Sequence, residues 1–357
     1  MSAVYVVLGV IVVGFVAVDV VATLVTTRRL RRRSPTQVFY RSTWTAWAAL
    51  GRRIDDGDRR ESFLSLYGPA SLLGLLAVWV VLFMLGWGLV WLGLRDRVHG
   101  VHDLADAVYF AGTTFFTVGF GDIVAHGPAA RLLTLVEALM GVLTTALVIG
   151  YLPTIYGAYS RRESQLLLLD DLEEGTVTAA GFVASFARHG DLDALYASFQ
   201  EWERWCADVF DSHTAYPMLL LFRSRQQGRS WLAGLAIVLE AAVYTLGVLD
   251  QPPRREAELL YRRGVLLLTA LVKTPDQALV ELGIPAEHSV AIAEEPFFRP
   301  AYERLTAAGI ACRPYAEAWP NVRALREPYV RHLAVLGRVF VVPPTFRTHA
   351  PPIPTLA

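Results

Sequence analysis

The chain is short of cysteine. Cys206 and Cys312 are the two in 357 residues. They lie far apart and read as reduced thiols, not as part of a disulfide framework. No Cys/His spacing of a metal-ligating kind appears, so no resident metal and no cofactor is expected. Net charge is also missing. The 33 basic residues balance 33 acidic ones, for a formal net charge of zero. That removes bulk electrostatics as a basis for binding nucleic acid. No Gly-x-Gly-x-x-Gly follows a strand pattern, and no catalytic constellation gathers. Neither a dinucleotide site nor an enzyme is expected. The first apolar run has no basic stretch ahead of it, which separates it from a secretory signal peptide.

What is abundant is apolar. The chain is 54% hydrophobic with a mean hydropathy of +0.38, values that fit a membrane protein with a soluble part. Ala3 to about Thr27, about Pro69 to Leu94 and about Ala129 to Tyr159 each reach the roughly 20 apolar residues that a helix needs to cross a bilayer. A fourth run, Trp231 to Leu249, is barely long enough and carries Glu240. It is expected as a buried helix in a bundle. Arg28, Arg29, Arg31, Arg32, Arg33, Arg41, Arg52, Arg53, Arg59 and Arg60 follow the first run, and Arg161 and Arg162 follow the third. By the positive-inside rule those stretches are cytoplasmic. The expectation is a multi-pass protein of the cell (plasma) membrane, its N-terminus outside and its C-terminus in the cytoplasm.

Between the second and third runs, Asp103 is a natural N-cap for about three helical turns over Ala105–Phe116. Residues Thr114 to Asp122 then read Thr-Phe-Phe-Thr-Val-Gly-Phe-Gly-Asp. This stretch resembles the selectivity filter of the potassium-channel pore-domain family, whose pattern is T-x-x-T-V-G-[YF]-G-D. The resemblance implies that backbone carbonyls of Thr117, Val118, Gly119 and Phe120, with the Thr117 hydroxyl, replace the water shell of a transported K⁺ ion. It implies four chains around one pore. Such a backbone needs dihedrals of alternating sign, and Gly119 and Gly121 are the residues that take positive φ without steric cost. Val118 and Phe120 would pack behind the filter, and Asp122 would draw cations at the outer mouth. Phe120 stands where the family usually has Tyr, so a bracing hydroxyl is missing. Tyr109, Phe110, Thr113, Thr114, Phe115 and Phe116 would support the filter from the pore helix.

Gly141 lies nineteen residues past Asp122, at the place of the family's hinge glycine. Close helix packing explains a small residue there equally well. Pro153 is a second kink candidate. Thr144 and Thr145 could face a cavity or bond their own backbone. The stretches YLPTIYGAYSRRE, EWERWCADVFDSHTAYP and SWLAGLAIVLEAAVY are similar to a group of bacterial channel-like proteins with a helical C-terminal domain. That likeness supplies no role or ligand for the domain.

The fold class expected is therefore an all-α membrane protein. Residues 1–28 hold the first transmembrane helix and 29–68 a basic loop. Residues 69–160 form the pore domain, 161–345 a cytoplasmic helical domain and 346–357 a flexible tail. The expected partners are the bilayer and identical chains in a homotetramer, with no nucleic acid. In the loop, Tyr40, Trp44, Trp47 and Ile54 share one helical face, read as an amphipathic helix at the inner leaflet, with packing on the C-terminal domain as the other reading. Asp19 within the first helix needs a partner or an exit to the edge. His99, His102 and His126 stand near the outer mouth, as proton or metal responders or as solvated loop residues. No helix repeats arginine at every third position, so no voltage sensor is indicated. Further on, Leu166–Leu169 with Leu172, Phe182 with Phe186, Leu192–Phe210 with Asp191 as N-cap, and Leu259–Val272 read as helices. Pro343, Pro344 and the stretch from Pro351 read as an edge and a loose tail. The expected function is a passive K⁺ channel gated near Gly141 and Pro153. The alternative is a poorly conducting, channel-derived sensor or scaffold whose working part is the C-terminal half.

Overall fold

A computed structural model describes residues 2–25, 34–169, 177–188, 192–224, 230–272 and 295–342. Arginines 28, 29 and 31–33, Leu172, Asp191, Pro343, Pro344 and the tail 346–357 lie outside those residues. The protein is an all-α membrane protein. Its helices are α1 (Ser2–Leu24), α2 (Pro35–Gly51), α3 (Gly57–Ser65), α4 (Tyr67–Gly93), α5 (Leu104–Phe115) and α6 (Gly127–Leu167), then α7 (Ala179–Arg188), α8 (Leu192–Ala215), α9 (Trp231–Gly247), α10 (Arg255–Val272), α11 (Glu295–Ala307) and α12 (Tyr315–Val339). Two short strands, β1 (Val98–His99) and β2 (Val124–Ala125), pair antiparallel with Val98 opposite Ala125. The helices α1, α4 and α6 are long and apolar enough to cross a membrane. Two compact units emerge, residues 1–39 with 69–156, and residues 40–68 with 157–357.

In the first unit, α1 lies against α4 at backbone distance. A Cβ built on Gly9 would stand 2.5 Å from the Gly86 carbonyl oxygen, and one on Gly93 would stand 2.7 Å from that of Ser2. Small residues allow this close approach, which is how helices gain dispersion energy in lipid. Asp19 is paired, not snorkelling. Its Oδ2 accepts from Trp79 Nε1 at 2.9 Å, from the Thr36 hydroxyl at 2.7 Å and from the Thr36 amide at 3.1 Å. That amide belongs to the first turn of α2, where a helix's positive end favours an anion.

In the second unit, the apolar face of α2 is covered by protein. Tyr40 and Trp44 are buried. The Trp44 ring meets Tyr67 edge-on at 4.9 Å and lies 6.4 Å from Phe340. Of the two readings of this face, inner-leaflet anchor or packing on the C-terminal domain, the burial of Tyr40 and Trp44 and the Phe340 contact fit the second. In α9, every residue except Leu246 is buried. Glu240 is answered there by the Tyr329 hydroxyl at 2.6 Å and by a charge contact with Arg326 Nε at 3.2 Å. The fourth apolar run is thus a core helix packed by α7, α10 and α12. Both cysteines are free, Cys206 buried and Cys312 partly so.

The end of α6 belongs to this second unit. Arg161 sits at the surface beside Asp208, at 3.3 Å. Arg162, grouped with it in the sequence as a charge on the cytoplasmic side, is fully buried. Its five N–H donors are all used. Nε and Nη2 reach Glu163 Oε1 at 3.0 and 2.9 Å. Nη1 reaches His213 Nε2 and the Leu219 carbonyl, each at 3.1 Å, and Nη2 reaches the Phe222 carbonyl at 2.7 Å. Tyr159 and Trp231 present their ring faces to the guanidinium at 5.2 and 5.4 Å. A guanidinium cannot accept a hydrogen bond, so His213 Nε2 must be bare and Nδ1 must carry the proton. The Nδ1–H then faces Ser212 Oγ at 3.1 Å.

This fixes a pH dependence. Burial, then the neighbouring Arg162 charge, hold His213 well below its ordinary value of about 6.5. The unfolded chain therefore takes up the proton first. Stability is present above about 6.5 and declines as pH falls through it, by up to about 1.4 kcal/mol per pH unit for this one site. Thermal unfolding followed from pH 8 to pH 5 should show the loss, and His213→Gln should flatten it. An identical slope in the two proteins would dismiss His213 as its source.

Candidate pore loop

The segment from His102 to Asp122 builds the site. Asp103 is the N-cap, its carboxylate accepting from the Asp106 amide at 2.9 Å, while Asp106 accepts from the His102 amide at 2.9 Å. These bonds satisfy donors that a helix start leaves open. The helix α5 then buries Ala107, Phe110, Ala111 and Phe115. Phe83 of α4 stacks on Phe115 at 5.4 Å, and Trp91 of α4 meets Phe110 edge-on at 5.1 Å. Gly88 and Gly112 make room for Val108 and Met84.

After α5 the chain turns sharply. The Thr113 carbonyl accepts from the Val118 amide at 2.8 Å and from the Gly119 amide at 3.3 Å. In a planar trans peptide the carbonyl points opposite to the N–H of the next residue. The carbonyls of Thr117 and Val118 are therefore turned away from the end of α5. Positive φ occurs at Thr117 (+56°), Gly119 (+58°) and Gly121 (+82°), and not at Val118 or Phe120 between them. The alternation expected from the two glycines is present, and it begins one step earlier. Thr117 is β-branched, and holding it left-handed costs about 1–3 kcal/mol. Strain of that kind is retained where the surrounding structure dictates it.

The side chains are distributed as follows. Tyr109 stacks parallel to Phe120 at 6.5 Å, and its hydroxyl lies near the Asp122 carboxylate. Tyr109 thus meets both Phe120 and Asp122. Thr113 bonds the Phe110 carbonyl at 3.0 Å, and Thr114 is buried. Phe116, Val118 and Phe120 are exposed in the single chain, Phe120 at 70%. His99 and His126 meet at 5.8 Å across the β1–β2 ribbon.

In α6, Gly141 abuts the end of α5, since a Cβ there would lie 1.9 Å from the Phe115 carbonyl oxygen. The helix runs unbroken through Gly141 and Pro153. Thr144 and Thr145 bond back to the carbonyls of Met140 and Gly141 at 2.8 and 3.0 Å, so their hydroxyls serve their own helix.

One residue was missed in the sequence. Glu137 of α6 is fully buried, accepts from Trp91 Nε1 at 2.6 Å through Oε2, and has no hydrogen bond at Oε1 among the described residues. The signal was its place as the one acid in the third apolar run. It ties α6 to α4 through the tryptophan that also touches Phe110. Trp91→Phe keeps the ring and removes the donor. It is expected to destabilise the protein by about 1–3 kcal/mol by stranding a buried acceptor. Thermal unfolding in detergent measures this, and an unchanged midpoint would deny the pair a structural role.

A helix–loop–helix of this kind between two spanning helices can be compared with known proteins. Residues 77–156 match the family model described as "Ion channel". The match runs from within α4 to within α6 and takes in α5 and the whole loop. The chain is also 26% identical over 264 residues to the "Uncharacterized membrane protein YdjJ" of Bacillus subtilis (strain 168), covering 68% of this chain and 76% of that one. No solved structure matches.

Proposed function

We propose that four copies of this chain form a potassium-selective channel. The observation that carries the reading is the alternating φ from Thr117 to Gly121 behind a capped, buried pore helix, in a segment that matches an ion-channel family. Alternation turns successive carbonyls toward one side, where they can replace the hydration shell of a K⁺ ion. In this reading the carbonyls of Thr117, Val118, Gly119 and Phe120, with the Thr117 hydroxyl, are the ligands. Ions pass in single file, pushed by mutual repulsion. K⁺ is the cargo, and no cofactor or catalysis is involved. The exposed Phe116, Val118 and Phe120 support the fourfold assembly, because a neighbouring chain would cover them. Asp122 faces the outside and the C-terminal domain the cytoplasm, as the arginine distribution implies.

The test is ion flux through purified protein in liposomes, with K⁺ and Na⁺ gradients compared and Ba²⁺ as blocker. Flux that is K⁺-selective and blocked by Ba²⁺ is expected. Equal K⁺ and Na⁺ rates would overturn the selectivity. No flux, either intact or with residues after Arg162 removed, would favour a non-conducting scaffold.

A further inference from the structure

The turn from Pro217 to Arg223, between α8 and α9, touches both transmembrane helices that enclose the pore loop, and each at its end. At the start of α4, a Cβ on Gly68 would stand 3.0 Å from the Phe222 ring and 3.2 Å from the Leu221 carbonyl oxygen. Just before that helix, Glu61 of α3 accepts from Arg223 Nη1 at 2.6 Å, with both side chains largely buried. At the end of α6, the Tyr159 ring lies 5.7 Å from Phe222 and its hydroxyl donates to the Arg223 carbonyl at 3.1 Å. Arg162 binds the Leu219 and Phe222 carbonyls, as described above. Arg223 also reaches past α12, donating through Nη2 to the carbonyls of Phe340 and Val341. Val341 is held at φ +52°, left-handed for a β-branched residue, a conformation that persists only under outside constraint.

One residue, Arg223, is therefore bonded to three remote stretches: by its side chain to Glu61 and to the end of α12, and by its backbone to Tyr159. Buried polar groups linked this way behave as a unit, and loosening one member is felt at the others. We propose that this turn is the coupling element through which the C-terminal domain sets the start of α4 and the end of α6 together. Any stimulus that shifts α12 or the α8–α9 connection reaches both helices at one point. The consequence for conduction rests on the channel reading above, but the mechanical link does not.

A cycle of two conservative variants in the full-length protein tests it. Glu61→Gln weakens the α3 side and Tyr159→Phe the α6 side. Amide hydrogen exchange reads local opening without requiring conduction. Glu61→Gln is expected to speed exchange in residues 157–167 by about tenfold, and Tyr159→Phe to speed it in residues 57–68 by a similar factor. The double variant should add little to either. In liposomes the variants should shift K⁺ flux several-fold while leaving the K⁺/Na⁺ ratio unchanged. If each variant loosens its own side alone, or the effects simply multiply, the coupling element is refuted. If wild-type flux is absent, the channel reading fails and exchange alone decides the link.

Discussion

Gly119→Ala abolishes K⁺ flux and leaves the protein folded: this is the expected result with the largest effect. Gly119 sits at φ +58° with open space where a Cβ would go. No clash arises, so the cost is conformational. An L-residue in the left-handed region loses about 1–2 kcal/mol, or about 4–8 kcal/mol over the four chains of the channel proposed above. The cheaper response is for each chain to rotate the peptide and turn a carbonyl away from the ion. Liposome flux and thermal unfolding, measured on one preparation, read the two effects separately. Wild-type flux in the variant would remove the backbone-ligand reading altogether.

Gly141→Ala is expected to act by the opposite route, through packing. The atom in the way is a backbone carbonyl oxygen 1.9 Å from the new methyl group, and no rotamer change can move it. Either α5 or α6 must shift, at a cost of about 1–3 kcal/mol for overpacking. Because Phe115 ends the helix that carries the loop, the displacement reaches Thr117 two residues on. Loss of flux and a lower unfolding midpoint should appear together. A hinge predicts something else, a fully stable protein with altered opening. That outcome would restore the hinge reading of Gly141 and leave the close contact incidental.

Much of this architecture could be read from residue order because its causes are local. The Asp103 cap, the short pore helix and the three long apolar helices follow from capping chemistry and hydropathy. What could not be read depended on distant partners. Arg162 looks like one more charge on the cytoplasmic side until His213, Leu219 and Phe222, more than fifty residues away, enclose it. That enclosure also carries α6 on to Leu167, beyond the Tyr159 end set by hydropathy. The aromatic face of α2 could not choose between lipid and protein without Phe340. Thr117 hid for another reason. Its side chain argues against positive φ, and the hydrogen bonds to Thr113 override that preference. Glu137 was legible in principle, as a lone acid in an apolar run. Its partner Trp91 was not, because nothing along the chain links the two helices.

The pairing of Asp19 has a consequence for how the chain is made. During synthesis α1 emerges well before α4, and Trp79 is sixty residues behind Asp19. The first helix must therefore enter the bilayer with its carboxylate short of a donor. A wholly unpaired acid at a helix centre raises the cost of insertion by about 2.5–3.5 kcal/mol on translocon scales; Asp19 lies toward the end of its helix and keeps the two Thr36 donors, so its share is smaller. The face of α1 that receives α4, with Gly9 at the closest approach, gains nothing until α4 arrives. The first segment is therefore expected to be held more firmly once the second delivers its indole N–H. A nascent chain arrested before α4 has left the ribosome would hold α1 less securely than one arrested after α4 has emerged.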